Sequence, residues 1–414
     1  MKASQRALIS ALLIILSAPL FASQFQAGVA RVEITPPMPT PLAGYGERKS
    51  KFSTGVMDKI YCRALVISDG NIKIALVSND ILQILEDLKQ EVAKNVSDLK
   101  LDGILLSSTH THSGPGGYID DPMVKIAVMG KYVPEYRKFL VEQICQAIRQ
   151  ADKNRAPAQF GSVIAQAPGF AKNRRHEGGV VDPSLGVIKF ADLSGKPVAY
   201  MINYAEHPTS LPASNLKISG DYAGVLERAM EEKDPGAIAM FFAGPLGDQG
   251  AGCNLNEDPV KCKDRLGNGL AGEVWKNAPA IALTSQVKIS LFDQWYPAPR
   301  LELRKGCWTG VGWLMKILGK DLERAKGEFM AIEINDTLIY ASAAELAVEV
   351  GFQLKALHPE KKQMVFAHSN DWLGYLLTPA EYDFGGYESC MSIYGREFEP
   401  YFVDKFKGLT AGVK

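Results

Sequence analysis

The feature that most restricts the fold is a short apolar stretch that ends abruptly in two histidines. Residues 103–106 have the pattern of a buried strand, His110 and His112 follow two residues apart, and a Gly/Pro-rich break comes at 114–117. Side chains two apart on an extended chain point the same way, so both imidazoles leave the strand end side by side. Ligands bind at such strand ends in open α/β sheets. The pair therefore either belongs to a site or caps a loop by hydrogen bonding.

Apolar strands and amphipathic helices alternate along the rest of the chain. The pattern predicts strands at 27–35, 61–68, 72–78, 103–108, 159–164, 185–190, 198–204, 237–243, 287–294, 329–334, 337–341 and 364–367. It predicts helices at 80–92, 134–151, 220–232, 264–275 and 343–357. Since no repeat or linker interrupts it, the pattern indicates an α/β fold, a layered mixed β-sandwich flanked by α-helices. Segment 297–322, with Trp308 and Trp313, does not fit and is interpreted as a lid or an insertion.

The first 22 residues have the features of a secretory signal peptide. Lys2 and Arg6 precede an apolar run at 7–20, and Ala22 offers a small residue for cleavage. The run is too short to cross a bilayer. We therefore expect a leader over residues 1–22, a single domain over residues 23–414, no stable membrane span, and a periplasmic or secreted location.

Charge and cysteine content exclude several classes of protein. Lys+Arg and Asp+Glu both number 46, so nothing indicates a nucleic-acid partner. Disulfides persist outside the reducing cytosol, and Cys253 and Cys262, which flank a polar loop, are the pair that we expect to be bonded. Cys145 lies in a helical pattern and is expected to be a buried free thiol. No Cys-x-x-Cys spacing occurs, which disfavours a thiolate zinc site.

Two further residues share the strand-end position of His110. His207 follows the strand at 198–204, and Glu345 follows the strand that ends at Ala341. Zinc in hydrolases typically takes three His or carboxylate ligands and keeps a position for water. Taken alone, His207 is more simply a structural histidine, and Glu345 an acid in the first turn of a helix. Together with His110 they could form a metal site.

Three polar or glycine-rich loops offer further candidates. Arg174 could neutralise an anionic intermediate, or it could be a solvated loop charge. Segment 244–252 lacks the ending and spacing of a phosphate-binding loop, so we interpret it as a close approach of backbone to a ligand or metal. The tyrosines of one late loop either line a pocket or pack as an aromatic cluster: Tyr375, Tyr382 and Tyr387.

These segments, in this order, resemble the neutral (non-lysosomal) ceramidase family. The resemblance runs from residues 27–36 to the loop at 375–388, and its most specific motif is at 109–117. Members of that family are zinc amidases that split the N-acyl bond of ceramide, and their catalytic domain is a sandwich of β-sheets flanked by helices. The resemblance implies a zinc-dependent hydrolase of an amide bond in a small-molecule or lipid N-acyl substrate, with the chemistry in a single ceramidase-like catalytic domain.

The resemblance also implies roles residue by residue. The residues that match the family's zinc ligands are His110, His207, Glu345 and Tyr375. The residues that match those facing the substrate amide are His112, Arg174 and Tyr387. Before the matching glutamate, Ala343 and Ala344 replace the Pro-Gly of the family motif.

Three departures from the family leave the substrate open. Gly250 stands where the family has a serine, and the sequence is shorter than the family's catalytic domain. We also expect no C-terminal immunoglobulin-like domain after residue 414. Zinc-water chemistry does not require a serine nucleophile. The alternatives are therefore a zinc hydrolase of a different, non-lipid amide or ester, and a metal-containing binding protein without catalysis.

Overall fold

The computed structural model describes residues 25–307 and 326–413, so the expected leader, Trp308 and Trp313 lie outside the described residues. The strands, in chain order, are β1 (Gln26–Glu33), β2 (Gly55–Val56), β3 (Tyr61–Ser68), β4 (Lys73–Asn79), β5 (Gly103–Ser108), β6 (Ala156–Gln166), β7 (Ala171–Asn173), β8 (Ser184–Asp192), β9 (Pro197–Tyr204), β10 (Lys217–Ile218), β11 (Ile238–Ala243), β12 (Gln249–Ala251), β13 (Ile289–Pro297), β14 (Lys326–Ile334), β15 (Thr337–Ala341), β16 (Glu345–Leu346), β17 (Lys362–Phe366) and β18 (Tyr375–Leu376). The α-helices are α1 (Glu86–Asn95), α2 (Pro122–Val124, continued by a π-helical turn, Lys125–Met129), α3 (Pro134–Lys153), α4 (Asp221–Lys233), α5 (Pro259–Asn277), α6 (Val348–Lys355), α7 (Pro379–Phe384), α8 (Tyr387–Met391) and α9 (Phe398–Leu409).

Two sheets face each other at the centre. The larger has the order β11-β9-β8-β6-β1-β3-β4-β5, with β11–β9 and β4–β5 parallel and the other pairs antiparallel. The smaller has the order β13-β14-β15-β17. Apolar side chains of both sheets form one core, in which the rings of Phe242 and Phe366 stack with centroids 4.3 Å apart. The predicted β-sandwich is confirmed.

Helices cover the outer faces of both sheets. In α3, Leu140, Ile144 and Ile148 recur every four residues and form one buried face against the larger sheet. Burying each such side chain stabilises the fold by about 1.5–3 kcal/mol. On the smaller sheet, α9 packs through Phe402 and Phe406 onto β14. None of the helices in the described part of the chain combines the length and apolar character that a bilayer crossing requires.

The larger sheet curls until its two edges come into contact. Edge strand β11 contacts β4 and the opposite edge strand β5. The Ser78 hydroxyl of β4 donates to the Phe241 carbonyl of β11 at 2.5 Å. Residues that follow β5 and β9 therefore lie close together, although six strand positions separate the two strands in the sheet order.

The helix predicted at 80–92 begins later than its apolar spacing indicates. It begins at Glu86, and the residues before it form a loop. The Asp80 carboxylate is held in a buried ion pair with Arg63, 2.9 Å from its Nη1. The carbonyl of Leu82 accepts hydrogen bonds from side chains at and beyond the end of β5. These residues do not form a helical turn because tertiary contacts of their polar groups outweigh helical propensity.

The helix predicted at 343–357 is also shorter at its start. It begins at Val348, and β16 replaces its expected first turn because Glu345 and Leu346 pair in parallel with β18. Glu345 is therefore not a first-turn acid that interacts with a helix dipole. The backbone pairing instead fixes the direction of its carboxylate.

The disulfides agree with the sequence analysis and add one bridge to it. Cys253 and Cys262 form the expected disulfide, and Cys145 is the expected buried free thiol. A second bridge, which the spacing did not indicate, joins Cys307 to Cys390, 83 residues later. This disulfide links α8 to the C-terminal end of the segment 25–307.

Candidate metal centre

His110 and His207 meet beyond the ends of β5 and β9, with their Nε2 atoms 3.1 Å apart. Both rings are buried, and each Nδ1 lies 2.8 Å from a backbone carbonyl, that of Leu82 and that of Leu246 respectively. A carbonyl only accepts, so these bonds place the ring protons on Nδ1. Both Nε2 lone pairs then face each other at close range. This arrangement is stable with a positive charge between them, as in metal-bound imidazoles.

His112 and Glu345 complete the cluster. Nε2 of His112 lies 3.2 Å from Nε2 of His110. Oε1 of Glu345 lies 3.1 Å from Nε2 of His207 and 3.7 Å from Nε2 of His110. That oxygen is buried and has no hydrogen-bond donor among residues 25–307 and 326–413. Three imidazole nitrogens and one carboxylate oxygen thus converge on one point.

The electrostatic state of the histidines suits a divalent metal ion. Burial lowers the pKa of His110 to about 4, and it lowers the pKa of His112 and His207 well below the ordinary value of 6.5. Neutral imidazole is the form that binds a metal. Imidazole nitrogens with one carboxylate form a typical donor set for divalent transition metals. His110, His207 and Glu345 are the residues best placed to hold such an ion.

Arg174 places a positive charge beside this cluster. Its Nη1 lies 3.5 Å from Nε2 of His207. Its Nη2 donates to the Gly247 carbonyl at 2.7 Å and to the Tyr375 hydroxyl at 2.9 Å. The guanidinium loses part of its hydration, but Tyr375 and two nearby carboxylates raise its pKa above the ordinary value. Arg174 is therefore charged, and it is not a freely solvated loop residue.

Two of the three tyrosines lie at the site. Tyr375 is buried in β18, where burial raises its pKa well above the ordinary value and its hydroxyl bonds to the Glu345 carboxylate. The rings of Tyr375 and Tyr387 meet edge to face with centroids 5.8 Å apart. Tyr387 is 57% exposed and marks the mouth of the site. Tyr382 packs on Leu377 in a separate cluster.

The loop at 244–252 approaches the site through its backbone. At Gly247, an added Cβ would lie 2.6 Å from the carbonyl oxygen of Glu345, so this contact requires glycine. Gly250 differs, because a Cβ there would lie 3.5 Å from Cβ of Arg174, an ordinary van der Waals distance. Position 250 therefore has room for a Cβ.

A network of ion pairs, which the sequence analysis missed, holds Arg174. Glu388 bridges two arginines, with Oε1 2.9 Å from Nε of Arg174 and Oε2 2.6 Å from Nη1 of Arg175. Glu381 in turn lies 2.8 Å from Nε of Arg175 and 2.9 Å from Nε2 of His176. The loop after β7 is thus fastened to α7 and α8.

The wall behind His112 was also not identified from the sequence. The ring of Tyr45 packs against His112 with centroids 4.9 Å apart, and Nη1 of Arg48 donates to the His112 carbonyl at 2.6 Å. Gly44 has a φ of +98°, and an added Cβ would lie 2.6 Å from Cγ of His112. The Gly-Tyr-Gly in this Pro/Gly-rich loop is a signal that could have indicated such a close approach.

His368 is a fourth histidine at the centre and was not predicted. It follows β17 by two residues, as His110 follows β5 by two residues. Its ring stacks on that of His110 with centroids 3.7 Å apart and planes 14° apart. The strand-end position that drew attention to His110 was present here as well, but a lone histidine carries a weaker signal than a pair.

The comparisons with known proteins agree on one family. The sequence model described as "Neutral/alkaline non-lysosomal ceramidase, N-terminal" matches residues 25–265, more than half of the chain. The chain is 28% identical to neutral ceramidase A of Dictyostelium discoideum over 293 residues, which cover 62% of this chain and 40% of that protein. It is 24% identical to the neutral ceramidase of Pseudomonas aeruginosa over 273 residues, or 60% of this chain and 40% of that protein.

A solved structure shares the fold. The crystal structure of neutral ceramidase from Pseudomonas aeruginosa superimposes with a TM-score of 0.81 at 17% identity, covering 94% of this chain and 74% of that chain. A structure described as ceramidase complexed with C2 gives a TM-score of 0.79. The sequence matches span about two fifths of the length of these curated relatives.

Proposed function

The chain belongs to the neutral/alkaline non-lysosomal ceramidase family, and on that premise we propose that it is a zinc-dependent hydrolase that cleaves the amide bond of an N-acyl, ceramide-like substrate. One observation carries the proposal: the Nε2 atoms of His110 and His207 converge at 3.1 Å beside the Glu345 carboxylate. Zinc hydrolases hold their metal with three such ligands and keep a position for water. Tyr375, which bonds to Glu345, would be the fourth ligand.

In the proposed reaction, the metal ion and the side chains around it would have separate roles. A zinc ion held there would supply the Lewis acidity that lowers the pKa of water from about 16 to about 7. Arg174 would lie beside the substrate carbonyl, where its charge stabilises the developing oxyanion. His112 would donate a second hydrogen bond to that oxygen, and Tyr387 would contact the substrate at the mouth. Addition of the water oxygen to the carbonyl carbon would give a tetrahedral oxyanion. Its collapse would break the amide C–N bond as a proton from the attacking water passes to the departing nitrogen.

Exposed apolar side chains around the Arg174 loop support a substrate with an apolar chain. Phe384 is 64% exposed and lies against His176, with ring centroids 4.5 Å apart. Val180 is 47% exposed, and its carbonyl accepts from the Asn173 side chain. Contiguous apolar surface rimmed by polar residues marks ligand-binding grooves, and we propose that Phe384 and Val180 belong to one such surface. An acyl chain would lie along this rim.

We also propose that the protein works in the periplasm or is secreted, as a single catalytic domain over residues 23–414. The signal-like features of residues 1–22 motivate this proposal. The two disulfides, Cys253–Cys262 and Cys307–Cys390, support it because such bonds persist in oxidising compartments.

The site assignment is tested by metal analysis and a substrate panel. Purified wild type is compared with His110→Ala and with a control, His358→Ala, which replaces a histidine that bonds to Thr410 elsewhere. We expect zinc in the wild type and the control, little in His110→Ala, and hydrolysis that follows the zinc content. Unchanged zinc in His110→Ala would overturn the assignment. Bound zinc without turnover of ceramides, short amides or esters would instead indicate a binding protein.

A zinc hydrolase of a non-lipid amide or ester is the second candidate, and Gly250 is the observation that favours it. The position has room for a Cβ beside Arg174, so the structure does not exclude the family's serine on steric grounds. We expect Gly250→Ser to raise hydrolysis of ceramide relative to a short soluble amide by about tenfold, the effect of one added hydrogen bond. Gly250→Ala is the matched control without the hydroxyl. If wild type, Gly250→Ser and Gly250→Ala hydrolyse ceramide and the short amide in the same ratio, the missing serine does not determine the substrate.

A further inference from the structure

His368 is a buried imidazole without a hydrogen-bonding partner. The residue is 0% exposed, and neither Nδ1 nor Nε2 meets a donor or acceptor in the part of the chain that the structure describes. Leaving a buried polar atom unsatisfied costs about 1–3 kcal/mol. A neutral imidazole always carries one bare nitrogen lone pair. The fold therefore keeps a lone pair inside the molecule that no described residue satisfies.

The backbone holds His368 at this place against local strain. Its φ is +51°, and that of Asn370 is +68°, in the left-handed region that non-glycine residues avoid. The His368 carbonyl accepts from the Ser108 backbone N–H at 3.2 Å, and the hydroxyls of Ser369 and Ser107 are 2.5 Å apart. These bonds join the end of β17 to the end of β5. Strain of about 1–3 kcal/mol per residue persists mainly at functional sites.

The stacking of His368 on His110 determines how the two rings could bind metal. The rings are nearly parallel, with planes 14° apart and centroids separated by 3.7 Å. An imidazole binds a metal through a lone pair in its own ring plane. Two parallel rings therefore do not direct their lone pairs at one ion, but each can bind a separate one. Ions bound at the same edge of the two rings would lie about one ring separation apart, which matches the spacing of about 3.5–4 Å between the ions of two-metal hydrolases.

Glu345 lies within reach of both rings. The ligand atoms of His110, Glu345 and His368 all lie within 4.8 Å of one another. Oε1 of Glu345 is a buried oxygen with no donor among the described residues. A carboxylate has two oxygens with about four lone-pair positions, so it can bind two cations at once.

We propose that the centre binds two divalent transition-metal ions, the second held by His368 and by Glu345 and completed by water. The inference rests on the proposed function, because it takes His110, His207 and Glu345 as the ligands of the first ion. It adds a second metal position beside the first, within reach of both His368 and Glu345.

The number of bound ions tests this proposal. Metal-free protein is prepared with a chelator and dialysed against Zn²⁺, and the bound metal is counted by elemental analysis. His368→Phe keeps an aromatic ring against His110 and removes both nitrogens. His358→Phe is the matched control outside the centre. We expect two equivalents in the wild type and in His358→Phe, and one in His368→Phe.

A spectroscopic measurement shows whether the two ions are neighbours. With Mn²⁺ in place of Zn²⁺, ions about 4 Å apart give an exchange-coupled electron paramagnetic resonance spectrum. We expect coupling in the wild type and an uncoupled signal in His368→Phe, with circular dichroism showing that the variant is folded. If the wild type binds only one equivalent of metal and His207→Ala binds none, the second metal position is overturned and the proposed function still stands. No metal in the wild type would overturn the proposed function itself.

Discussion

At the scale of single residues, the position of one proton on each imidazole determines what the centre can bind. The carbonyls of Leu82 and Leu246 fix protons on Nδ1 of His110 and His207, which leaves Nε2 as the donor atom. Strand-end motifs in the sequence indicated both histidines. They did not indicate the carbonyls, because these come from loops whose backbone path depends on tertiary contacts.

Arg174 provides the sharpest test at this scale. Lysine at this position keeps the charge but loses the planar fork that bonds Gly247 and Tyr375 while facing His207. We expect Arg174→Lys to lower kcat on an N-acyl substrate about 10²–10³-fold, with metal content unchanged. Steady-state kinetics and elemental analysis of the same preparation measure both quantities.

The control for that variant is Lys172→Ala, which replaces an exposed residue of β7, the strand that ends just before Arg174. It should keep kcat within about twofold of the wild type, as is usual for surface substitutions. A normal kcat in Arg174→Lys would mean that the guanidinium does not act on the reacting group.

At the scale of elements, the network of Glu388 and its partners joins the Arg174 loop to α7 and α8. Glu388→Gln keeps the shape of the side chain but removes the negative charge shared by Arg174 and Arg175. We expect kcat to fall about tenfold while KM and metal content change little, because a less restrained Arg174 loses transition-state contacts.

Glu381→Gln is the matched control, since Glu381 pairs with Arg175 and His176 but not with Arg174. It should change kcat less than Glu388→Gln does. An equal fall in kcat in both variants would mean that the ion-pair network only stabilises the loop and does not position Arg174. Unfolding curves for both proteins separate loss of stability from loss of positioning.

A charge cluster, buried at Lys89 and Glu328, joins α1 to the smaller sheet and gives a prediction about pH. Lys89 on α1 pairs with Glu328 on β14, and Asp293 on β13 lies beside them. Burial raises the pKa of Glu328 from 4.5 to about 7, although Lys89 opposes the shift. The folded protein therefore retains a proton that the unfolded chain releases. This site's contribution to stability falls as the pH rises from about 4.5 to 7.

Glu328→Gln removes that pH dependence. We expect the free energy of unfolding of the variant to rise relative to wild type by on the order of 2 kcal/mol between pH 5 and pH 8. Urea unfolding at the two pH values measures it, with Glu33→Gln in the exposed Lys59 pair as the control. A variant that loses stability relative to wild type over this interval would contradict the proposed origin of the effect.

The elements also show where sequence patterns are insufficient. Periodicity identified the long strands and helices because each has one face in a core, as Leu140 and Ile144 illustrate in α3. It placed the starts of α1 and α6 too early. Contacts near the candidate metal centre replaced the first helical turn in both cases: side-chain contacts before α1, and strand pairing before α6. Periodicity carries no information on such contacts.

At the scale of the whole molecule, the curl of the larger sheet creates the site. The contact between Ser78 and Phe241 spans 163 residues of sequence and brings the edges of the sheet together. Layering could be predicted from alternating strands and helices. The curl could not, because it depends on which edge strands touch. The resemblance to a known family assigned His110, His207, Glu345 and Tyr375 to one site without any knowledge of their contacts. It gave no reason to include His368.

We propose that bound zinc makes this chain an amide hydrolase, and reconstitution of the metal-free protein tests that proposal most directly. Fatty acid released from an N-acyl sphingoid substrate is measured as zinc is added back, for wild type and for His207→Ala. We expect no release without metal, release that rises with bound zinc in the wild type, and none in His207→Ala. Full release by the metal-free protein, or by His207→Ala, would contradict the account.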